Sequence, residues 1–237
     1  MSARRNSCGF TLLELTIVLF VVAVVLGASI RPVNTGLEQS RRHATRQQLT
    51  QITQAAMGFA AVHGYLPCPA GTDTRGWAVA NCSAQSSSGY VPSATLGLVG
   101  KRDDRGRLLD SWNQPLHYVV SASDHQSQGH PGKPDFTSAG EMLQVGMRNL
   151  KSELTLCRRA ANNCPRGDIQ ANQVPLIVYS TGSNRDRTPD QLENLDGDPL
   201  FVARDYSQQP GNEFDDLVDW LPENQLFYML VKAGELP

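Results

Sequence analysis

Between Phe10 and Ile30 the chain has 21 consecutive residues with a single ionisable side chain, Glu14. At about 1.5 Å per residue an α-helix over that run measures about 32 Å, the thickness of a bilayer's hydrocarbon interior, so the run predicts one membrane-spanning helix over about 10–30. A carboxylate inside such a helix costs about 2.5–3.5 kcal/mol on insertion scales, which makes Glu14 a candidate functional residue from the outset. Arg4 and Arg5 stand just ahead of the run. Positive charge on that flank predicts a cytoplasmic N-terminus and puts everything after Ile30 on the far side of the membrane.

Two plainer readings compete. A charged start followed by an apolar run also describes a secretory signal, with Ala28 and its small neighbours as the cleavage site. A simple single-pass anchor needs nothing beyond the run itself. Neither accounts for an acid at the fifth position of the run or for the Gly9–Phe10 junction.

Composition limits the partners. The 237 residues carry 21 Lys and Arg against 23 Asp and Glu, a net charge of −2. That balance has no general attraction for nucleic-acid phosphates, so no nucleic-acid partner is expected. The charge is uneven: from Asp190 onward, eleven acids face only Arg204 and Lys232. Cys8 precedes the apolar run, and Cys68, Cys82, Cys157 and Cys164 follow it. Four cysteines beyond a membrane span suit an oxidising compartment and two disulfides. Proximity favours Cys68–Cys82 and Cys157–Cys164 among three connectivities, with free thiols or a zinc site as the alternatives.

The hexapeptide Gly9-Phe10-Thr11-Leu12-Leu13-Glu14 resembles the cleavage and methylation motif of type IV prepilins and type II secretion pseudopilins. The resemblance implies cleavage after Gly9 by a prepilin peptidase, N-methylation of Phe10, and retention of the apolar helix in the mature protein. It also implies that Glu14 faces the amino terminus of a neighbouring subunit. Loss of Arg4 and Arg5 with the leader reduces 21 basic groups to 19, against 23 acids. An unpaired carboxylate in a low-dielectric helix bundle is expensive, and a neighbour's terminal ammonium offsets much of that cost. Such a pair sets the axial stagger between subunits, while apolar packing supplies most of the adhesion.

Beyond the span, Pro32 predicts a kink near Ile30. From Leu37 to His63, Ala44, Leu49, Ile52, Ala56 and Phe59 recur at helical spacing, which predicts an amphipathic second half that lies on a soluble head. Arg41, Arg42 and Arg46 are candidates for contact with lipid headgroups or adjacent subunits, or are a solvated face. Gly64 ends the helix. Residues 70–89 read as an irregular loop, 90–99 as an extended segment, and 108–120 as a turn running into a strand. Trp112, Pro115 and Tyr118 in that stretch are similar to the Asp-x-Trp-Gly-x-Pro-x-x-Tyr turn of pseudopilin heads, with Asn113 where glycine is usual. Residues 121–140 read as loop, 174–180 as a buried strand and 200–203 as another. A short helix from Pro222 to about Lys232 stops at Gly234.

Near the C-terminus, Ser180–Asn184 together with Phe214–Trp220 is similar to the calcium loop of the major type II secretion pseudopilin, with Asn184 in the place of an aspartate and about twenty extra residues between the two parts. A solvated acidic loop is the plainer reading; if calcium binds, the resemblance and the ion's oxygen demand point to Asn184, Asp196, Asp198 and Asp216 as side-chain ligands. Ser123, Asp124 and His125 offer triad residue types, but neighbours in one loop do not make a triad.

The expectation is therefore an α+β, pilin-like chain. A leader covers 1–9, a long N-terminal helix 10–63, and a periplasmic head 64–237 with a small antiparallel sheet, long loops and a short C-terminal helix. Its expected role is that of a non-enzymatic minor pilin or pseudopilin, held in the bacterial inner membrane and then in a filament. The expected partners are prepilin peptidase, other pilins or pseudopilins, the inner-membrane assembly platform and membrane lipid. A filament-tip adhesin or cargo-binding subunit is the alternative, with the loops 70–89, 121–140 and 183–212 as display surfaces. A membrane-anchored periplasmic enzyme is a further one, though the sequence has no His-Glu-x-x-His and no Gly-x-Ser-x-Gly.

Overall fold

A computed structural model describes residues 11–83, 85–125, 129–160, 164–183 and 188–237, with the backbone alone over 25–35. One helix, α1 (Leu12–His63), runs without interruption through Pro32. The chain divides into two compact units, 1–41 and 42–237. The boundary falls inside α1, whose residues beyond Arg41 belong to the second unit.

Within the second unit, α1 buries Leu49, Ile52, Ala56 and Ala60, a stripe at helical spacing. Ala44 is exposed and Phe59 only half-buried, stacked on His63 at 3.9 Å, so the core-facing stripe sits one residue to the side of both. Gly64, at φ 74°, ends the helix and donates its N–H to Ala60 O at 2.8 Å.

The central sheet has the order β1 (Ser88–Tyr90), β2 (His117–Val120), β5 (Leu176–Ser180), β7 (Leu217–Leu221), antiparallel throughout. Side chains alternate across it. Tyr118, Val120, Leu176, Val178, Leu217 and Leu221 meet α1 and α4 (Glu223–Ala233) in one cluster. Val119, Ile177 and Tyr179 join the second cluster, on the opposite face, with Leu154, Leu156 and Phe201. Both faces of β5 are thus covered, which is why this strand reads as an unbroken apolar run and is buried at all five positions.

The second sheet differs from the expected antiparallel head. Its order is β4 (Ile169–Ala171), β3 (Thr155–Cys157), β6 (Leu200–Val202); β3 pairs antiparallel with β4 and parallel with β6. The segment expected to be extended over 90–99 is strand only to Tyr90. Pro92, which has no N–H to give a ladder, begins a turn in which Leu96 N–H bonds Pro92 O at 2.9 Å. Two short helices, α2 (Glu141–Val145) and α3 (Pro189–Glu193), complete the fold.

Candidate functional site

Gly9 and Phe10 lie outside the described residues. Immediately after them Thr11 caps α1: its Oγ1 accepts Glu14 N–H at 3.2 Å and its carbonyl accepts Leu15 N–H at 3.2 Å. Glu14 therefore stands in the first turn, where the helix dipole favours an anion. Its side chain is exposed, and Leu12, Leu13, Leu15 and Phe20 around it are all more than half exposed. The first turns of α1 are an acid on an uncovered apolar surface. Among the described residues no helix is long and apolar enough to cross a membrane. Side chains of the apolar run are described only to Val24, and the expected span continues to Ile30.

The C-terminal acids form two arrangements rather than one. Asp196 and Asp198 come together with Glu193, one oxygen of each within 4.8 Å of the others. Asp196 Oδ1 accepts Asp198 N–H at 3.0 Å, and Asp198 Oδ1 accepts Leu200 N–H at 2.7 Å. Burial, then the negative charges of Asp196, Asp198 and Asp190, push the Glu193 carboxyl up. One oxygen from each of the three carboxylates supplies three of the six to eight that calcium takes. Asp216 is not in that group. It is buried, and accepts Asn194 Nδ2–H at 2.8 Å and Gln191 Nε2–H at 3.5 Å. Asn184 lies outside the described residues.

The turn at Ser180–Ser183 and the segment at 214–220 are joined by Asp215. Its Oδ2 accepts Ser183 N–H at 2.8 Å and Ser183 Oγ–H at 2.5 Å, and its Oδ1 accepts Gln191 Nε2–H at 2.5 Å. A Cβ at Gly182 would stand 2.5 Å from Asp215 O, so only glycine admits this approach. Asp215, outside the expected ligand set, is thus the residue that closes this loop.

Residues 4–30 match the profile of the family described as the prokaryotic N-terminal methylation motif. The chain carries a prepilin-type N-terminus. That match contains Gly9, Phe10 and Glu14 and supports a substrate of prepilin peptidase that assembles with other pilins. No curated protein and no solved structure matched the chain.

In the head of this prepilin-like chain, Cys68 is bonded to Cys82 and Cys157 to Cys164, with Cα–Cα distances of 5.7 and 6.0 Å. Ser123, Asp124 and His125 are turned to separate tasks: Asp124 Oδ2 accepts Gly132 N–H at 2.7 Å, and His125 N–H bonds Asp135 Oδ1 at 3.0 Å. His130 Nδ1 lies 2.5 Å from Oε1 of the buried Glu141, whose Oε2 accepts His130 N–H at 2.9 Å. Of Arg41, Arg42 and Arg46, Arg42 is buried with its guanidinium 3.6 Å from the centre of the Tyr206 ring, whereas Arg41 and Arg46 are exposed.

Asp110 stands at the aspartate of the Asp-x-Trp turn motif but is not among the expected site residues. Its Oδ1 accepts Trp112 and Gln114 N–H, each at 2.8 Å, and its Oδ2 accepts Ser180 Oγ–H at 2.5 Å. Burial pushes its carboxyl up. The Trp112 turn is thereby fastened to the end of β5, and Trp112 packs against the main core as a turn residue. The signal was present: an aspartate two residues before the turn's tryptophan is an Asx-turn former.

Proposed function

We propose that the protein is a structural subunit, a minor pilin or pseudopilin, of a type IV pilus or type II secretion pseudopilus. The observation that carries this reading is the methylation motif over residues 4–30, with Glu14 as the one acid on an otherwise apolar helical start. Prepilin peptidase cleaves after Gly9 and Phe10 receives the N-methyl group. Residues 10–30 hold the subunit in the bacterial inner membrane with its head in the periplasm. The assembly platform then transfers it to a filament, where apolar contacts between helices supply adhesion. Glu14 pairs with the terminal amine of a neighbouring subunit and so fixes the stagger. The role is non-enzymatic.

Mass spectrometry of the membrane-extracted protein tests the first step: an N-terminal methyl-Phe10 is expected, and an intact Met1 or an end near Ala28 overturns the reading. Glu14→Ala is expected to be processed normally and to enter filaments at least tenfold less than the parent. Equal incorporation overturns the register role.

A further inference from the structure

A cavity of about 590 Å³ opens beside β7, lined by Leu217, Val218 and Trp220 of that strand and by Arg46, Arg158 and Arg204. β7 is the outer strand of the central sheet: β5 pairs along one side, and no strand among the described residues pairs along the other. Its outward N–H and C=O groups are a template for another extended chain. Arg204 is fixed in place. Its Nε lies 2.7 Å from Asp190 Oδ2, its Nη2 bonds the carbonyls of Asn212 and Glu213 at 3.3 Å each, and its guanidinium sits over the Phe214 ring. Arg46 and Arg158 are exposed; Arg158 N–H bonds Asp168 O at 2.9 Å, but neither guanidinium has an ion pair or hydrogen bond among the described residues. Asp205 and Asp216 also border the cavity, but the Asp216 carboxylate is bonded to Asn194 and Gln191.

We propose that this cleft receives an extended, carboxylate-bearing segment of a partner protein, which adds to β7 as a further strand and sets its acidic side chains against Arg46 and Arg158. The pieces answer different parts of that ligand. The free strand edge binds backbone, Val218 and Trp220 offer an apolar wall to alternate side chains, and two unpaired guanidinium groups accept carboxylates as forked donors. A small anion would use the arginines and leave the strand edge and the tryptophan idle. A basic peptide would meet like charge at Arg46 and Arg158, with only Asp205 and the amide-bonded Asp216 on the border to receive it. The proposal rests on the head alone and stands whether or not the N-terminal helix builds filaments.

The test is fluorescence anisotropy of labelled heptapeptides with the full-length protein in detergent. An alternating Val-Glu peptide is expected to bind, more weakly as salt rises, and an alternating Val-Lys peptide at least tenfold more weakly. Arg46→Glu and Arg158→Glu, both surface changes whose folding is checked by circular dichroism, are each expected to weaken the Val-Glu peptide at least tenfold. Methylating that peptide's backbone nitrogens on one edge is expected to abolish binding. No binding of the Val-Glu peptide, or binding indifferent to either arginine, overturns the proposal. Full affinity of the N-methylated peptide overturns strand addition, and displacement by millimolar citrate alone would show a small-anion site instead.

Discussion

Glu141 shows how one buried charge can hold a loop. Burial by itself raises its carboxyl, but the His130 backbone N–H and imidazole, with the charge of Lys133, outweigh that and hold it below the ordinary value of 4.5. A depressed carboxylate contributes stability above its unfolded value and loses it as pH falls through the folded one. Asp110 and Asp135 have the opposite sign, since burial raises both, so the net slope of the whole protein does not isolate Glu141. The difference between parent and Glu141→Gln does. Above pH 4.5 the variant is expected to be less stable by about 1.5–3 kcal/mol, the worth of a hydrogen bond to a charged group. The gap should close as pH falls below that value. Urea unfolding at a series of pH values reads it, and a gap independent of pH overturns the linkage.

At the scale of elements, the disulfide of Cys68 and Cys82 closes a stretch with a sequence separation of 14 and little regular structure. A crosslink over about 15 residues contributes about 3 kcal/mol in the chain-entropy account. Replacing both cysteines with serine is therefore expected to lower stability by about 2–4 kcal/mol. The midpoint of chemical unfolding checks this, and an unchanged midpoint would show that the loop is held by other contacts, such as the Ala70 bridges to Ala78 and Tyr90. Legibility varied among elements for physical reasons. The helix around Leu49 and Ile52, the strand at Leu176–Ser180 and the helix ended by Gly234 carry strong periodicity or end signals. β4, at three residues, carries too little pattern to announce itself. α3 does carry a start signal: Thr188-Pro189-Asp190-Gln191 has proline at the first helical position, and Gln191 Oε1 accepts Thr188 N–H at 3.0 Å. The parallel pairing of β3 with β6 was not legible, because strand direction depends on the path of the intervening chain.

At the scale of the whole molecule, the question is whether the acid-rich C-terminal stretch from Asp190 onward is held by a cation or by its own amide donors. The sequence spacing pooled Asp196, Asp198 and Asp216, whereas the fold gives them different partners. Asp216 is satisfied by Asn194 and Gln191, while Glu193, Asp196 and Asp198 converge with no ion pair to a basic side chain among the described residues. Spacing cannot reveal such a division, since it depends on α3 carrying Glu193 toward the two aspartates and Gln191 toward Asp215 and Asp216. Two variants separate the roles in thermal melts of the full-length protein in detergent. Asp216→Asn is expected to cost about 1–3 kcal/mol with or without calcium, because its new amide meets amide donors already aimed at that position. If the three converging acids hold calcium, saturating metal at a hundred times its dissociation constant raises stability by about 2.7 kcal/mol. That increment is expected to vanish in Glu193→Gln and to survive in Asp216→Asn. An identical melting midpoint in millimolar calcium and in chelator would leave the loop to its hydrogen bonds alone. The acids at 193, 196 and 198 would then be a solvated surface, and Asp215 and Asp216 the residues that hold this end of the head together.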